Sequence, residues 1–141
     1  LAATVARRVD GWREPASEHG LTIVASVPPE LRVRAAGGRV EQVLDNLIAN
    51  AVAVAPAGTA ISVTAEQRGG HVELHVRDRG PGMSPEDKLR AFDRFWRGRT
   101  AGGGSGLGLA IVRRLVERDG GSVELRDAEG GGLDVAVLLP V

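Results

Sequence analysis

Three short segments of this chain concentrate carboxamides, a carboxylate and glycines. They are LDNLIANA (residues 44–51), DRGPG (residues 78–82) and GGGSGLGLA (residues 102–110). Carboxamide oxygens are hard ligands that suit Mg²⁺, and a carboxylate accepts a hydrogen bond from an exocyclic amine. Free backbone N–H groups at the start of a helix bind phosphates. The three segments together therefore predict a nucleotide site.

The two carboxamides belong to Asn46 and Asn50, which lie on a predicted helix over residues 39–54. Residues four apart project from nearly the same helix face, and this face is turned away from the apolar stripe that includes Val43 and Leu47. An ordinary solvated polar face is the simpler interpretation of such a pair. Asn is a poor helix former, however, so its repetition in so apolar a helix favours a ligand role.

The carboxylate is that of Asp78, which follows a predicted strand over residues 72–76 and precedes Gly80 and Gly82. An Asp-containing turn after a strand is common without any further role. The functional alternative is that a carboxylate fixed at a strand end accepts a hydrogen bond from a base. The neighbouring glycines would let a flat base approach the backbone.

The third segment has five glycines between residues 102 and 108 and leads into a predicted helix over residues 106–119. A flexible linker is the alternative, but Leu107, Leu109 and Ala110 interrupt the glycines, which is not linker composition. A helix start with bare backbone predicts an anion site. Arg97 stands at the edge of this segment, where its guanidinium could reach a phosphate.

Composition excludes several classes of protein. The 141 residues contain 18 basic and 18 acidic side chains, and this balance does not favour nucleic acid as a partner. There are no cysteines, so disulfides and thiolate-bound zinc are excluded. No apolar run approaches the length of a membrane span. The histidines show no metal-site spacing, and His71 and His75 are expected on the exposed side of their strand.

The order of elements predicts an α+β fold, with about five strands in a mixed, mostly antiparallel sheet and three main helices on one face. The first helix, over residues 1–18, is expected to be interrupted at Gly11 and Pro15. No strand directly precedes the glycine segment, which argues against a Rossmann site, and no G-K-[ST] follows it, which excludes a P-loop. Strands are predicted at residues 21–27, 60–67, 72–76, 122–126 and 133–139, with a short helix from residue 84 to about 95.

In this order the segments resemble the ATP-binding catalytic domain of bacterial two-component sensor histidine kinases, which belongs to the gyrase, Hsp90, histidine kinase and MutL ATPase superfamily. LDNLIANA looks like its asparagine box and DRGPGM like its first glycine box. FDRFWRG looks like its phenylalanine box and GSGLGLAIV like its second glycine box. The resemblance covers nearly the whole chain. It implies a two-layer α/β sandwich of the Bergerat type.

The resemblance also implies roles for single residues, with ATP and Mg²⁺ as ligands. Asn50 would contact Mg²⁺, and Asn46 would support the phosphate side. Asp78 would accept a hydrogen bond from the adenine amino group, between walls shaped by Gly80 and Gly82. Arg97 would approach the terminal phosphate. The residues that would hold phosphates are Gly104, Gly106, Leu107 and Gly108.

The short phenylalanine box and Asn46 favour the kinases over the other branches, because hydrolysing relatives carry a glutamate base at this position. The γ-phosphoryl group would then go to a histidine on a separate dimerisation domain, and onward to a response regulator. The chain would be a single catalytic domain, monomeric and unable to phosphorylate itself. It would be the cytoplasmic part of a kinase anchored in the bacterial inner membrane.

Two positions depart from the family pattern. Ala53 stands where a basic residue is usual, and Val54 stands where an aromatic residue usually packs on adenine. Each loss would weaken nucleotide binding by ~1 kcal/mol or more. Two alternatives therefore remain: a degenerate domain that binds another protein instead of ATP, and a non-kinase ATPase of the same superfamily.

Overall fold

The computed structural model describes residues 1–93 and 108–141, and in this part of the chain one five-stranded sheet is covered on one face by helices. The strand order is β1-β2-β3-β5-β4. The elements are α1 (Ala2–Glu18), β1 (Thr22–Ser26), α2 (Arg39–Val54), β2 (Ala60–Arg68), β3 (His71–Arg77), α3 (Pro85–Arg90), α4 (Gly108–Arg118), β4 (Ser122–Asp127) and β5 (Leu133–Pro140).

The predicted mixed sheet is confirmed. β1 runs parallel to β2, with Ile23 opposite Ile61, because the chain returns to the sheet through α2. The other pairs are antiparallel. The turn between β2 and β3 contains Gly69 at φ 58°, a left-handed conformation that glycine adopts without a steric cost.

The observed α2 has the predicted bounds. Its apolar side chains recur at helical spacing, so one face is buried against the sheet while the opposite face stays polar. Ala55 leaves the helix with an extended backbone, φ −72° and ψ 135°. The following Pro56 explains this end, because proline disfavours the helical conformation in the residue before it.

The core lies between the sheet and the three main helices, α1, α2 and α4. Alternate residues of each central strand face the helices, as do Ile61 and Val63 in β2 and Leu74 in β3, all fully buried. Leu44 and Ile48 meet them from α2. The predicted helix-on-sheet architecture is therefore confirmed.

Two sequence expectations about helices are wrong. The first helix is not interrupted, since α1 runs through Gly11 and Pro15. Burial of Val5, Val9 and Ala16 along one face outweighs the weak local propensity. The short helix α3 ends at Arg90, before residue 95, although its predicted start is correct: the Ser84 hydroxyl accepts a hydrogen bond from Asp87 N–H.

Side chains clamp α1 to α2 directly beside the predicted Asn residues. Trp12 Nε1 donates to Asp45 Oδ1 at 3.1 Å, and the Arg8 guanidinium lies 3.4 Å from Asp45 Oδ2. Asp45 precedes Asn46 in α2, so this clamp fixes the helix that carries both carboxamides. Across the described ranges, no helix combines the length and apolar character that a bilayer span requires.

Candidate nucleotide site

Asp78 lies at the end of β3, and its carboxylate is buried, with 5% of the residue exposed. Its Oδ1 accepts hydrogen bonds from Gly80 N–H at 2.8 Å and Leu133 N–H at 3.3 Å. Its own N–H donates to the Leu133 carbonyl at 3.1 Å. The side chain is therefore held between the loop after β3 and the start of β5.

Burial is the largest influence on this carboxyl and raises the pKa of Asp78 above its usual value, against the opposing effect of the two backbone donors. Both hydrogen bonds end on Oδ1. No hydrogen bond to Oδ2 occurs among the residues that the structure describes. A buried charge with one uncommitted oxygen is suited to a ligand that brings its own N–H donor.

Glycines line this carboxylate because there is no room for side chains. A Cβ at position 80 would lie 3.0 Å from Val54 Cγ2 and 3.1 Å from the Val54 carbonyl oxygen. Gly82 has a φ of 70°, and a Cβ added to it would lie 3.2 Å from the Gly132 carbonyl oxygen. The end of α2 and the Asp78 loop are therefore in direct contact.

The turn before β5 packs against the Asp78 loop, a contact that the sequence did not predict. A Cβ at Gly132 would lie only 2.0 Å from the Asp78 carbonyl oxygen, so no other residue fits there without moving the loop. The available signal was the run from Gly130 to Gly132. All three have positive φ values, yet from the sequence they indicated only a hairpin turn.

The two predicted asparagines are half-buried on α2. Asn46 Nδ2 donates to the Gln42 carbonyl one turn earlier, at 2.9 Å. Asn50 faces the first residue of α4, because a Cβ at Gly108 would lie 3.1 Å from both Nδ2 and Oδ1 of Asn50. The structure thus joins the asparagine helix to the end of the second glycine segment.

Not every predicted site residue falls within the described part of the chain. The structure brings Asn50 to Gly108, and Asp78 to Gly80, with the end of α2 between these two contacts. The remaining candidates lie outside the described residues, and their roles stay predictions. They are Arg97, Gly104, Gly106 and Leu107.

Comparison with known proteins places the chain in a family. Residues 36–141 match the family described as histidine kinase-, DNA gyrase B-, and HSP90-like ATPase. A solved structure of the mycobacterial sensor histidine kinase MprB is 30% identical, with a TM-score of 0.85, over 98% of this chain and 92% of that chain. Full-length ShkA in complex with AMPPNP is 33% identical, with a TM-score of 0.86, over 99% of this chain and 29% of that chain.

Curated relatives agree with the structures. The sensor-like histidine kinase SenX3 of Mycobacterium tuberculosis is 34% identical over 140 residues, covering 96% of this chain and 34% of that protein. The sensor protein kinase PmrB of Pseudomonas aeruginosa is 46% identical over 98 residues, covering 67% of this chain and 20% of that protein. The chain therefore spans about a third of the length of SenX3 and a fifth of the length of PmrB.

The raised pKa of Asp78 predicts an effect on stability. The folded protein holds the carboxyl proton of Asp78 more tightly than the unfolded chain does. The free energy of unfolding therefore falls as the pH rises from 3.8, the usual pKa, through the higher pKa of the folded state. The amide side chain of the variant Asp78→Asn is uncharged at every pH, and its oxygen can still accept hydrogen bonds from both backbone N–H donors. We expect its thermal midpoint at pH 7 to equal or exceed that of the wild type.

The control is Asp10→Asn, at an exposed position on α1, and both variants are compared by thermal unfolding at pH 4 and pH 7. The advantage of Asp78→Asn over the wild type should be larger at pH 7. A clear loss of stability at pH 7, with no change in the control, would show that the buried charge is needed for folding.

The contact between Gly108 and Asn50 predicts a second effect. Gly108→Ala adds a methyl group 3.1 Å from the carboxamide, so the Asn50 side chain must move. We expect a displaced Asn50 side-chain amide resonance in NMR spectra. Gly11→Ala is the control, because nothing lies within 4 Å of its added methyl and alanine stabilises a helix by about 0.5–1 kcal/mol. An unmoved Asn50 resonance in Gly108→Ala would contradict the observed contact.

Proposed function

Because the chain belongs to the histidine kinase-, DNA gyrase B-, and HSP90-like ATPase family, and within it to the catalytic domains of sensor histidine kinases, we propose that it binds ATP with Mg²⁺ and presents the γ-phosphoryl group to a phosphoacceptor histidine. The observation that carries this proposal is the buried Asp78 carboxylate, held by backbone on one oxygen and uncommitted on the other within the described residues.

Adenine supplies the donor that this arrangement lacks. Its exocyclic amino group would donate to Asp78 Oδ2, and the flat ring would lie against the loop where Gly80 and Gly82 leave the backbone bare. Guanine carries a carbonyl oxygen at the equivalent position, which would face a carboxylate with no proton between them. The site should therefore select ATP over GTP.

The donor set on α2 fits a magnesium-bound triphosphate. Asn50 offers a neutral amide oxygen, the kind of hard ligand that Mg²⁺ takes together with phosphate oxygens and waters. Its carboxamide forms no hydrogen bond among the described residues and points at the start of α4. Asn50 would hold the ion, which neutralises phosphate charge. Gly108 would keep the backbone near it free of side chains.

Asn46 explains why the phosphoryl group would be transferred rather than lost to water. A carboxamide cannot accept a proton from water as a glutamate does, and Asn46 Nδ2 is engaged with the Gln42 carbonyl. In the proposed reaction the bond between the γ-phosphorus and the β,γ-bridging oxygen breaks. A bond forms to an imidazole nitrogen of the acceptor histidine, and ADP leaves. The domain contributes positioning and electrostatics.

The proposal extends to the rest of the kinase. The acceptor histidine would lie on a dimerisation domain of the same protein, from which a response regulator takes the phosphoryl group. Arg97 would approach the terminal phosphate, and Gly104, Gly106, Leu107 and Gly108 would hold phosphates. The domain would be the cytoplasmic part of a kinase anchored in the bacterial inner membrane.

One second candidate function has a specific observation behind it. Ala53 is exposed and offers no charge to phosphates. Val54 lies beside Gly80, at the position where the family resemblance implies an aromatic ring packed on the base. A domain that had lost ATP binding and kept only a protein-docking role would tolerate both residues.

Base selectivity tests the proposed role of Asp78. In Asp78→Asn the amide oxygen can keep the two backbone donors, so the amide nitrogen faces the adenine amino group, donor against donor. We expect ATP affinity to fall at least about tenfold, equivalent to about 1.4 kcal/mol, and the preference for ATP over GTP to shrink. Isothermal titration with each nucleotide measures both quantities, with Asp10→Asn as the control. Unchanged affinity and selectivity would remove Asp78 from the base pocket.

Phosphotransfer separates the kinase from a hydrolase. The domain is mixed with a dimerisation domain that carries a phosphoacceptor histidine and with γ-labelled ATP. We expect acid-labile phosphate on the acceptor, little free phosphate, and at least about tenfold less product with Asn50→Ala. Free phosphate released without labelled acceptor would indicate hydrolysis instead.

A further inference from the structure

The face of the sheet opposite the helices carries a cluster of charged side chains from β2, β3, β4 and β5. Sequence alternation predicted that His75 is exposed there, and this is wrong, since only 3% of it is exposed. Long side chains from neighbouring strands close over it. The charged members of the cluster are Glu66, Arg68, Glu73, Arg77, Glu124, Arg126 and Asp134.

The two nitrogens of His75 have different surroundings. Nδ1 lies 3.0 Å from Asp134 Oδ1, which favours the tautomer that carries its proton on Nδ1 and leaves Nε2 with a lone pair. Nε2 is buried and has no hydrogen-bond partner among the described residues. The nearest acceptor, Glu73 Oε2, lies 3.8 Å away, too far for a hydrogen bond even if Nε2 were protonated.

Glu73 presents a similar arrangement beside it. The residue is 3% exposed, and its Oε1 accepts a hydrogen bond from Arg126 at 3.0 Å. Its Oε2 forms an ion pair with Arg68 Nε at 3.0 Å but accepts no hydrogen bond among the described residues. Burial would raise the pKa of Glu73, but the hydrogen bond and charge of Arg126, with the charge of Arg68, outweigh burial and lower it. Glu73 is therefore a carboxylate whose second oxygen lies 3.8 Å from His75 Nε2.

Glu66 completes the group from the adjacent strand, where it pairs directly with Glu73. One ligand atom from each of Glu66, Glu73 and His75 lies within 4.8 Å of the others. Ligands of a tetrahedral zinc ion at ~2.0–2.1 Å are about 3.3 Å from one another, so the 3.8 Å between Nε2 and Oε2 needs little adjustment. Glu66 is exposed, so its side chain can rotate inward once its ion pair with Arg68 is broken.

We propose that Glu66, Glu73 and His75 form a second metal site, separate from the nucleotide site, which takes a divalent cation of the zinc type with one position left for water. The ligand set of one imidazole and two carboxylates suits Zn²⁺ better than Mg²⁺. Asp134 supplies the carboxylate that orients a metal-binding histidine through its other nitrogen. The cation would coordinate His75 Nε2 and Glu73 Oε2, two buried atoms that form no hydrogen bond among the described residues, and at Oε2 it would replace the ion pair with Arg68.

Arg68 competes with the metal for the same oxygens. Its Nε lies 3.0 Å from Glu73 Oε2 and 3.2 Å from Glu66 Oε1. The Arg68 side chain is 67% exposed, so it can turn into solvent at low cost when a cation binds. Removing its charge should therefore strengthen metal binding, an effect that a purely structural ion-pair cluster would not produce.

The test uses the chain after chelator treatment, without nucleotide, at pH 7.5. Zn²⁺ is titrated against a chromophoric chelator, and Co²⁺ is added separately to read coordination from its visible absorption. We expect one equivalent of Zn²⁺ to bind, and millimolar Mg²⁺ should not reduce this binding. The visible absorption of bound Co²⁺ should be that of a site with a low coordination number. His75→Gln and Glu66→Gln should each weaken binding at least tenfold, and Arg68→Gln should strengthen it at least threefold.

His71→Gln is the matched control, because His71 lies on the same strand but is exposed and outside the group. Circular dichroism checks that His75→Gln is folded. If it is not, the exposed Glu66 still provides a variant that cannot disturb the core. No saturable binding, or binding that His71→Gln reduces as much as Glu66→Gln, would overturn the proposal. Weaker binding by Arg68→Gln would also contradict it.

Discussion

The buried carboxylate of Asp78 and the backbone that surrounds it constrain the rest of the candidate nucleotide site. One oxygen is bonded to Gly80 and Leu133 N–H groups, so the loop after β3 cannot move without the start of β5. The same loop touches Val54 at the end of α2. Since Asn50 is one turn earlier on α2 and faces Gly108, packed backbone links the position of the Asp78 carboxylate to the proposed metal ligand Asn50 and to the start of α4.

Much of this arrangement could be predicted from local patterns. The apolar spacing over residues 39–54 predicted the bounds of α2, and the order of elements predicted the mixed, mostly antiparallel sheet. Contacts between segments that are distant in the sequence could not be predicted in this way. The closeness of Gly132 to Asp78 depends on how β5 pairs with β3, which no local pattern reveals. α1 continues through Pro15 because packing against the sheet outweighs propensity.

The burial of His75 is another feature that the local sequence pattern did not predict. Alternation correctly assigned it to the sheet face away from the helices, and exposure was inferred because that face is polar. In the structure His75 is 3% exposed and lies beside Glu73, which is paired with Arg68 of β2 and Arg126 of β4. Charged side chains bury one another when their stems lie flat on a sheet. A polar pattern therefore identifies which sheet face a residue is on but does not show that the residue is exposed. Polar groups can be buried on a face that no helix covers.

With Ala53 and Val54 present, Asp78 still bonds to Gly80 and Leu133, and Asn50 still faces Gly108. We therefore expect these two residues to weaken nucleotide binding rather than abolish it. Titration of the domain with a fluorescent ATP analogue, with and without Mg²⁺, tests the account most directly. It predicts saturable binding that Mg²⁺ strengthens, with displacement by ATP and much weaker displacement by GTP. An absence of saturable binding at millimolar nucleotide would contradict it and would favour a domain that only docks onto another protein.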